Sequence, residues 1–296
     1  MHRSKIAVVS ILVIVFFSAI SFAQGAPSAK WEELTGPDFI QAIQKAQGTC
    51  MLPFGIVEKH GPQLPLGTDL IDVRYASEQA AKEEYAVMFP AYYFGQIFEA
   101  RHQPGTLAYS LQLQLQLLQE TVNEMARNGC KKIAIVNGHG GNDSLLPLFA
   151  QSQLASKRDY VVYVLPISIR RSDGPAPVAT KDKLDMHAGE TETSTMLVAA
   201  PALVHMDRAK EQSGADQARL SALPEGVYTG IWWYARFPNH YSGDGSLGTK
   251  ELGAFTMKNW IDAIAASVKA IKADETSLKL QNEFFEAAQH PLETKQ

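Results

Sequence analysis

Acidic and basic residues are nearly balanced along the 296-residue chain, and neither sign forms a long run. The formal net charge is −4 at pH 7. Proteins that bind nucleic acid or anionic membranes by charge need a basic patch, so neither partner is expected. The Gly-x-Ser-x-Gly pattern of serine hydrolases is also missing, which argues against a serine nucleophile.

Long apolar runs are missing outside the N-terminus. Residues 1–5 are basic, residues 6–20 are nearly all apolar, and residues 21–23 place small side chains at the two positions that a signal peptidase reads. This layout is typical of a secretory signal peptide. The apolar run is also short for a bilayer span of about 20 residues, which argues against a membrane anchor. We expect a signal peptide at 1–24 and an exported protein, periplasmic or secreted, with no membrane partner after cleavage. An uncleaved membrane anchor is the alternative.

Repeats, low-complexity segments and linkers are absent too, so residues 25–296 are predicted to form one domain. Apolar runs of strand length alternate with helical segments, which favours an α/β fold with a mostly parallel sheet covered on both faces. The predicted strands are 51–57, 86–94, 131–136 and 160–166. The predicted helices are 37–46, 70–84, 110–128, 145–157, 191–199 and 251–274, with a further short helix after them. Residues 170–185 are predicted to form a loop, and 205–248 show no regular pattern.

Residues 111–117, with the sequence LQLQLQL, alternate as a strand does. A wider window favours a helix, because apolar residues recur on one helical face as far as Met125. Gly129 then supplies a C-terminal stop.

The first polar cluster follows the predicted strand 51–57 and contains Glu58, His60 and Asp69. In open α/β sheets, ligands bind beyond the carboxyl ends of the strands. Glu58 and His60 are two residues apart, so on an extended chain they point to the same side. A carboxylate beside an imidazole suits a divalent metal. Asp69 precedes a helix and has two open interpretations, a helix N-cap or a carboxylate that bridges two metals.

The second polar cluster, residues 137–142, follows the predicted strand 131–136 and carries His139 between glycines. Glycine permits close backbone approach, which suits a ligand in a crowded site. The alternative is a plain strand-to-helix turn, with backbone N–H groups available to an anion and residues 142–144 available as a helix cap.

The third polar cluster, residues 185–194, contains a histidine and several acids. Each cluster alone is weak evidence for a metal site, but three in one chain are far more specific. We therefore expect four side chains to converge within a few ångströms: Glu58, His60, Asp69 and His139.

The segments PFGIVEKHGPQLPLGTD, IVNGHGG and HAGETETS resemble the creatininase family, the creatinine amidohydrolases. The match runs in order from about residue 50 to about residue 200, and weakly to about residue 255. The resemblance implies a single three-layer α/β/α sandwich, assembled into hexamers. It also implies a dinuclear Zn, Mn or Fe site that activates water against a small cyclic amide or formamide. Two divalent metal ions and a homo-oligomer are therefore expected.

The resemblance also implies individual roles for the first two clusters. Glu58 and His139 would hold one metal, His60 the other, and Asp69 would bridge them. Glu99, in a segment that keeps the Pro-Gly-Thr turn of the family, is expected in the site wall. The expected substrate-binding residues are Glu99, Gly140, Gly141 and Asn142.

In the third cluster, His187 matches the family histidine that contacts substrate and moves a proton. Glu192 matches the acid of this motif, either as a ligand of the second metal or as an acid/base group. Glu190 competes for the acid/base role, so His187 and Glu190 are the expected catalytic residues.

Two departures put creatinine itself in doubt as the substrate. Creatininase proper has a glutamate ligand where this chain has Gly141, and it closes its site with tryptophans in the loop before the third motif. Residues 166–186 contain no tryptophan, and Trp232 and Trp233 come later. These changes fit the broader family, with its formamide deformylases and peptide-trimming members.

Two functions are therefore expected, in order of preference. The first is metal-assisted hydrolysis of a C–N bond in a small amide, with His187 as the proton donor to the leaving nitrogen. The alternative is a non-catalytic exported binding protein that keeps the metal pocket. Gly141 favours the alternative, whereas a retained proton donor and two acids favour the enzyme.

The chain has only two cysteines, Cys50 and Cys130, and each precedes a strand that leads into a polar cluster. If those strands are parallel neighbours, their starting ends lie about 4.8 Å apart, which a disulfide can bridge. Export would place the pair where disulfides persist. We expect a Cys50–Cys130 disulfide. Two free buried thiols are the alternative if other strands intervene or the side chains face opposite ways.

Overall fold

A computed structural model gives the structure of residues 27–170 and 180–293. The predicted signal peptide, residues 1–24, lies outside the described residues, as do residues 171–179 of the predicted loop 170–185. Within the described residues, no helix combines the length and the apolar character needed to cross a bilayer.

Four strands form the sheet of the described residues, in the order β2–β1–β3–β4, and all pair in parallel. They are β1 (Thr49–Phe54), β2 (Val87–Met88), β3 (Lys132–Asn137) and β4 (Val161–Leu165). β1 and β3 pair along their full lengths, from Thr49 opposite Lys132 to Phe54 opposite Asn137. Their carboxyl ends therefore finish side by side at one edge of the sheet.

Helices cover both faces of this sheet. One layer contains α1 (Gly36–Lys45), α3 (Leu111–Arg127) and α4 (Leu145–Ser152). The other contains α2 (Thr68–Glu83) and α7 (Lys250–Ala273), against which α5 (Glu190–Ala199) packs. Two further helices are α6 (Trp232–Arg236) and α8 (Ser277–Gln289). The predicted three-layer α/β/α sandwich is confirmed.

Side chains of β1 show why both faces need a cover. Leu52 and Phe54 pack into the α3 layer, whereas Met51 packs into the α7 layer. Alternate residues of a strand point to opposite faces. Because helices cover both faces, all six residues of β1 are buried. A strand buried on both sides reads as a continuous apolar run, which is the pattern that predicted it.

The helix prediction for the alternating LQLQLQL segment is confirmed by α3. The Ser110 side chain caps its first turn by accepting a hydrogen bond from Leu113 N at 3.4 Å. The strand predicted at 86–94 is wrong in length, because β2 contains only Val87 and Met88. Phe89 N still donates to Met51 O, but Pro90 follows and has no N–H to donate to a ladder. Beyond Pro90, an isolated bridge joins Tyr92 to Phe54.

The predicted start and end of α4 also need correction. Ser144 is the N-cap residue of α4 but makes no side-chain cap hydrogen bond, and Asn142 and Asp143 belong to the 3-10 turn Gly140–Asp143. The α-helix ends at Ser152, and a 3-10 turn at Gln153–Ala155 replaces the predicted extension to 157.

The predicted disulfide between Cys50 and Cys130 is confirmed, with a Cα–Cα distance of 5.7 Å. Cys50 lies in β1, and Cys130 lies just before β3, the direct neighbour of β1. The bond therefore joins the starting ends of the two strands, opposite the edge where they finish.

Candidate metal centre

The first two polar clusters meet at the carboxyl edge of the sheet. Glu58 follows β1, and His139 follows β3. Gly138 N donates to Phe54 O at 2.9 Å, and the Asn137 side-chain oxygen accepts a hydrogen bond from His139 N at 3.1 Å. The first bond extends the β1–β3 pairing by one residue, and the second holds the turn that carries His139 beside Glu58.

Three buried atoms form what we call the first group: Glu58 Oε1, Asp69 Oδ2 and His139 Nδ1. His139 Nδ1 lies 2.9 Å from the Glu58 oxygen and 3.0 Å from the Asp69 oxygen. The other ring nitrogen, Nε2, donates to Gln96 O at 3.0 Å. With the Nε2 proton used there, Nδ1 is the nitrogen that the ring offers to a cation.

A second group shares Asp69 and adds His60 and Glu192. His60 Nε2 lies 3.2 Å from Asp69 Oδ1 and 3.9 Å from Glu192 Oε2. His60 Nδ1 donates to Glu58 O at 3.2 Å, which orients the ring. Asp69 therefore presents one oxygen to each group. It lies inside the first turn of α2, after the N-cap residue Gly67, so the N-cap interpretation is wrong.

The donor set passes a test for fit to a metal. Glu58 Oε1 and Asp69 Oδ2 are both buried, and the polar group that faces both oxygens is His139 Nδ1. Buried carboxylates that converge in this way are costly without a positive charge between them, and a divalent cation supplies that charge. Carboxylate and imidazole ligands suit Zn²⁺ and Mn²⁺. The arrangement is a candidate dinuclear metal centre.

The negative charges of the buried carboxylates favour the binding of a cation and the protonated form of the nearby histidines. Burial disfavours a charged imidazole, but attraction to Asp69 and Glu58 outweighs it and raises the pKa of His60 to about 10. The same carboxylates raise the pKa of His139 well above its usual value against the effect of burial. Burial raises the pKa of Asp69, but the two histidines outweigh it and hold that pKa well below its usual range.

His187 is almost buried and forms a third group of metal-ligand type with Glu58 and His60. Its Nε2 donates to Lys59 O at 2.8 Å, and its ring centroid is 4.3 Å from that of His60. Its Nδ1 lies 3.9 Å from Glu192 Oε2. Burial lowers the pKa of His187 to about 4, so the ring is neutral at pH 7, with its proton on Nε2 and a lone pair on Nδ1.

The structure distinguishes the two acids of the third cluster. Glu192 Oε2 faces His60 and accepts a hydrogen bond from Ala188 N at 2.7 Å. Glu190 Oε2 instead accepts from the backbone N–H groups of Lys181 and Asp182, at 2.6 and 2.8 Å. The structure does not bring Glu190 to the metal groups, so its expected acid/base role has no support from its position.

The four expected substrate-binding residues have different surroundings. Asn142 is fully buried; its amide accepts a hydrogen bond from Gln96 N and donates to Asn137. The Asn142 side chain ties two loops together, and substrate binding by this residue stays a prediction. Glu99 is half-buried and lies against Gly141, and Gly140 is exposed.

Among the glycines of this loop, Gly141 has the least free space. A Cβ at this position would lie 2.4 Å from His139 Nε2 and 3.0 Å from Glu99 Oε1. We expect Gly141→Ala to displace the His139 ring, weaken metal binding and lower the free energy of unfolding by about 1–3 kcal/mol. Thermal unfolding and metal analysis measure both effects.

The adjacent Gly140 supplies the matched control, because a Cβ there would have no atom within 4 Å. Gly140→Ala is expected to leave both the metal content and the free energy of unfolding unchanged. Equal effects in the two variants would contradict the steric argument.

Sequence reasoning missed two residues of the site, Trp233 and His240. His240 is buried, contacts Glu58 Oε2 through Nε2, and lies 4.3 Å from His187 between ring centroids. Burial and the charge of His60 lower the pKa of His240 to about 2. Trp233 stands edge-on to the His187 ring. Both lie in the segment 205–248, whose irregular pattern gave no signal.

Comparison with known proteins identifies the family. The sequence profile of the creatininase family, described as creatinine amidohydrolase, matches residues 32–268. The chain therefore belongs to the creatininase family.

Individual relatives agree with this assignment. Creatinine amidohydrolase of Pseudomonas putida is 25% identical over 208 residues, which cover 65% of this chain and 80% of the relative. Mycofactocin precursor peptide peptidase of Mycobacterium tuberculosis is 32% identical over 171 residues, which cover 54% of this chain and 62% of the relative. A solved structure described as creatininase Mn superposes with a TM-score of 0.68 at 20% identity, covering 83% of this chain and 100% of that one. This last likeness shows the fold.

Proposed function

We propose that the chain is a metal-dependent amidohydrolase that cleaves a C–N bond of a small amide or formamide, cyclic amides included. The observation that carries the proposal is the position of Asp69, which presents one carboxylate oxygen to each of two groups of metal-ligand type. The relatives named as creatinine amidohydrolase and as a peptide peptidase support C–N bond chemistry.

Five side chains would hold two divalent ions, and the donor set suits zinc, manganese or iron. Glu58 and His139 would hold one, His60 and Glu192 the other, and Asp69 both. When bound, such ions supply an activated water and polarise the amide carbonyl. The hydrogen bonds from the histidine rings to Gln96 O and Glu58 O keep the ligand nitrogens oriented.

His187 would move the proton that hydrolysis requires. Water adds to the carbonyl carbon, the C–N bond breaks, and the departing nitrogen must gain a proton. Because His187 Nε2 is committed to Lys59 O, its Nδ1 is the atom available to take a proton from water and deliver it to nitrogen.

Replacing His187 by alanine is therefore expected to lower kcat by about 10²–10⁴-fold and to leave the metal content unchanged. Metal analysis beside steady-state kinetics measures both. Loss of a metal from His187→Ala would assign the ring a ligand role instead. His205→Ala, which removes an exposed histidine, is the matched control and should alter neither quantity.

The substrate class is tested by offering lactams, formamides and short peptides to the purified protein loaded with Mn²⁺ or Zn²⁺. Hydrolysis of one class that disappears with chelation supports the proposal. Creatinine is not the favoured substrate, because Gly141 replaces a ligand of creatininase proper and residues 166–186 contain no tryptophan.

A non-catalytic binding protein is the second candidate, and Gly141 is the observation that favours it. A protein that binds two ions per chain but hydrolyses no member of the three classes would establish this candidate. His187 argues against it, since a binding site has no need of a proton carrier.

Export is proposed as well, with cleavage after about residue 24. The Cys50–Cys130 disulfide supports this location, because disulfides persist outside the reducing cytosol. Mass spectrometry of the protein from its native host tests it: a mature chain that retains residues 1–24 would contradict cleavage.

A homo-oligomer, hexameric by resemblance to the family, is the proposed assembly. Sedimentation of the metal-loaded protein tests it, and a single species of monomer mass would contradict it.

A further inference from the structure

Glu58 presents its two carboxylate oxygens to different partners. Oε1 faces the first group, with His139 Nδ1 at 2.9 Å and no hydrogen-bond donor of its own. Oε2 points the other way and contacts His240 Nε2. Both side chains are almost completely buried. The direction in which Glu58 offers Oε1 therefore depends on what holds Oε2.

Trp233 fixes the proton of His240 on the nitrogen that faces Glu58. The indole Nε1–H lies 2.7 Å from His240 Nδ1. An indole nitrogen only donates, so Nδ1 must accept. A neutral imidazole then carries its proton on Nε2, from which it donates to Glu58 Oε2. The contacts form one chain of donors, from Trp233 through His240 to Glu58.

The backbone that carries His240 is anchored to the same site. Lys59 Nζ donates to Asn239 O, and Gln103 Nε2 donates to Pro238 O at 3.0 Å. His240 itself has a left-handed backbone, with φ of 50°, which turns the chain so that the ring enters the site. Lys59 neighbours Glu58 in sequence, so the histidine and its target are held by one local network.

We infer that His240 is a positioning residue for the metal centre, which holds Glu58 through Oε2 so that Oε1 stays aimed at the first group, and that Trp233 selects the histidine tautomer required for this. Among the described residues, the groups of metal-ligand type do not include His240. Its ring would act on a bound ion through Glu58, as partners of metal ligands do elsewhere. The inference rests on the proposed metal centre.

Three variants test this role. His240→Ala removes the donor, and the first group is expected to bind its ion about 10–100-fold more weakly, while the second group keeps its ion. His240→Gln restores a donor at about the position of Nε2, so its affinity should return to within about 3-fold of wild type. Trp233→Phe keeps a ring but loses the N–H, and an intermediate loss is expected because both tautomers of His240 become available.

The measurements are metal stoichiometry, the rate of metal loss to a chelator, and the visible absorption of the Co²⁺-loaded protein. None of them requires a known substrate. The control is His205→Ala, which removes an exposed side chain that takes part in none of these contacts, and it should match wild type.

Each other outcome overturns the inference in an identifiable way. If His240→Gln loses metal as strongly as His240→Ala, the imidazole is itself a ligand. If His240→Ala keeps wild-type stoichiometry, release rate and Co²⁺ spectrum, Glu58 needs no positioning. If both ions are lost together with the fold, as judged by thermal unfolding, the role of His240 is structural. If wild-type protein binds no divalent ion, the proposed function fails together with this inference.

Discussion

Replacing Asp69 by alanine is expected to remove both metal ions and to reduce amide hydrolysis by about 10³-fold or more, which corresponds to about 4 kcal/mol of transition-state stabilisation. The reason is geometric. Asp69 Oδ1 lies 3.2 Å from His60 Nε2, and Asp69 Oδ2 lies 3.0 Å from His139 Nδ1. One carboxylate thus serves both groups, so its loss leaves neither complete.

The comparison with His60→Ala sharpens this prediction. His60 contacts Asp69 and Glu192 and is part of the second group but not of the first. Its loss should therefore leave one ion in place and reduce activity less than the loss of Asp69 does. Metal analysis should give two ions per chain for wild type, one for His60→Ala and none for Asp69→Ala. Asp207→Ala, an exposed aspartate, is the control. Equal and mild losses in the two site variants would contradict a bridging Asp69.

Reduction of the Cys50–Cys130 disulfide is expected to lower the free energy of unfolding by about 4 kcal/mol. The two cysteines are 80 residues apart in sequence, so the bond removes much conformational freedom from the unfolded chain. Denaturant unfolding with and without a thiol reductant measures the effect without any change of sequence.

The double variant Cys50→Ala/Cys130→Ala is the control for this experiment, since a reductant should not affect its stability. Two free thiols per chain in the denatured, unreduced protein would contradict the prediction. An unchanged midpoint on reduction would show that the unfolded chain is already restricted by other means.

Local sequence patterns predicted the positions of Glu58, His60 and His139 well. The apolar run of β1 and the polar residues after it placed Glu58 and His60 at a strand end, and the glycine-flanked His139 was expected beside them. These predictions depend on period-2 burial and on strand ends, which are properties of short segments. For the same reason the disulfide followed from the expected neighbourhood of two strands.

Other features depend on packing that no short segment encodes. Glu190 and Glu192 are two residues apart in the first turn of α5, and such residues point to well-separated sides of a helix. Which of them faces the metal groups depends on how α5 lies on α2 and α7. His240 reaches Glu58 across 182 residues through irregular backbone, where no periodicity marks its position.

The pairing of β1 with β3 also has consequences for the order of folding. The two strands are separated by a long stretch that includes α2, β2 and α3, so their contacts are non-local and slow to form. Glu58 and His139 come together only when these two strands have paired. A fragment with one of the strands therefore lacks part of the first group. A chain that keeps its disulfide begins folding with the starting ends of the two strands already joined. It should therefore refold faster than the reduced chain, and recovery of metal binding should coincide with the end of folding.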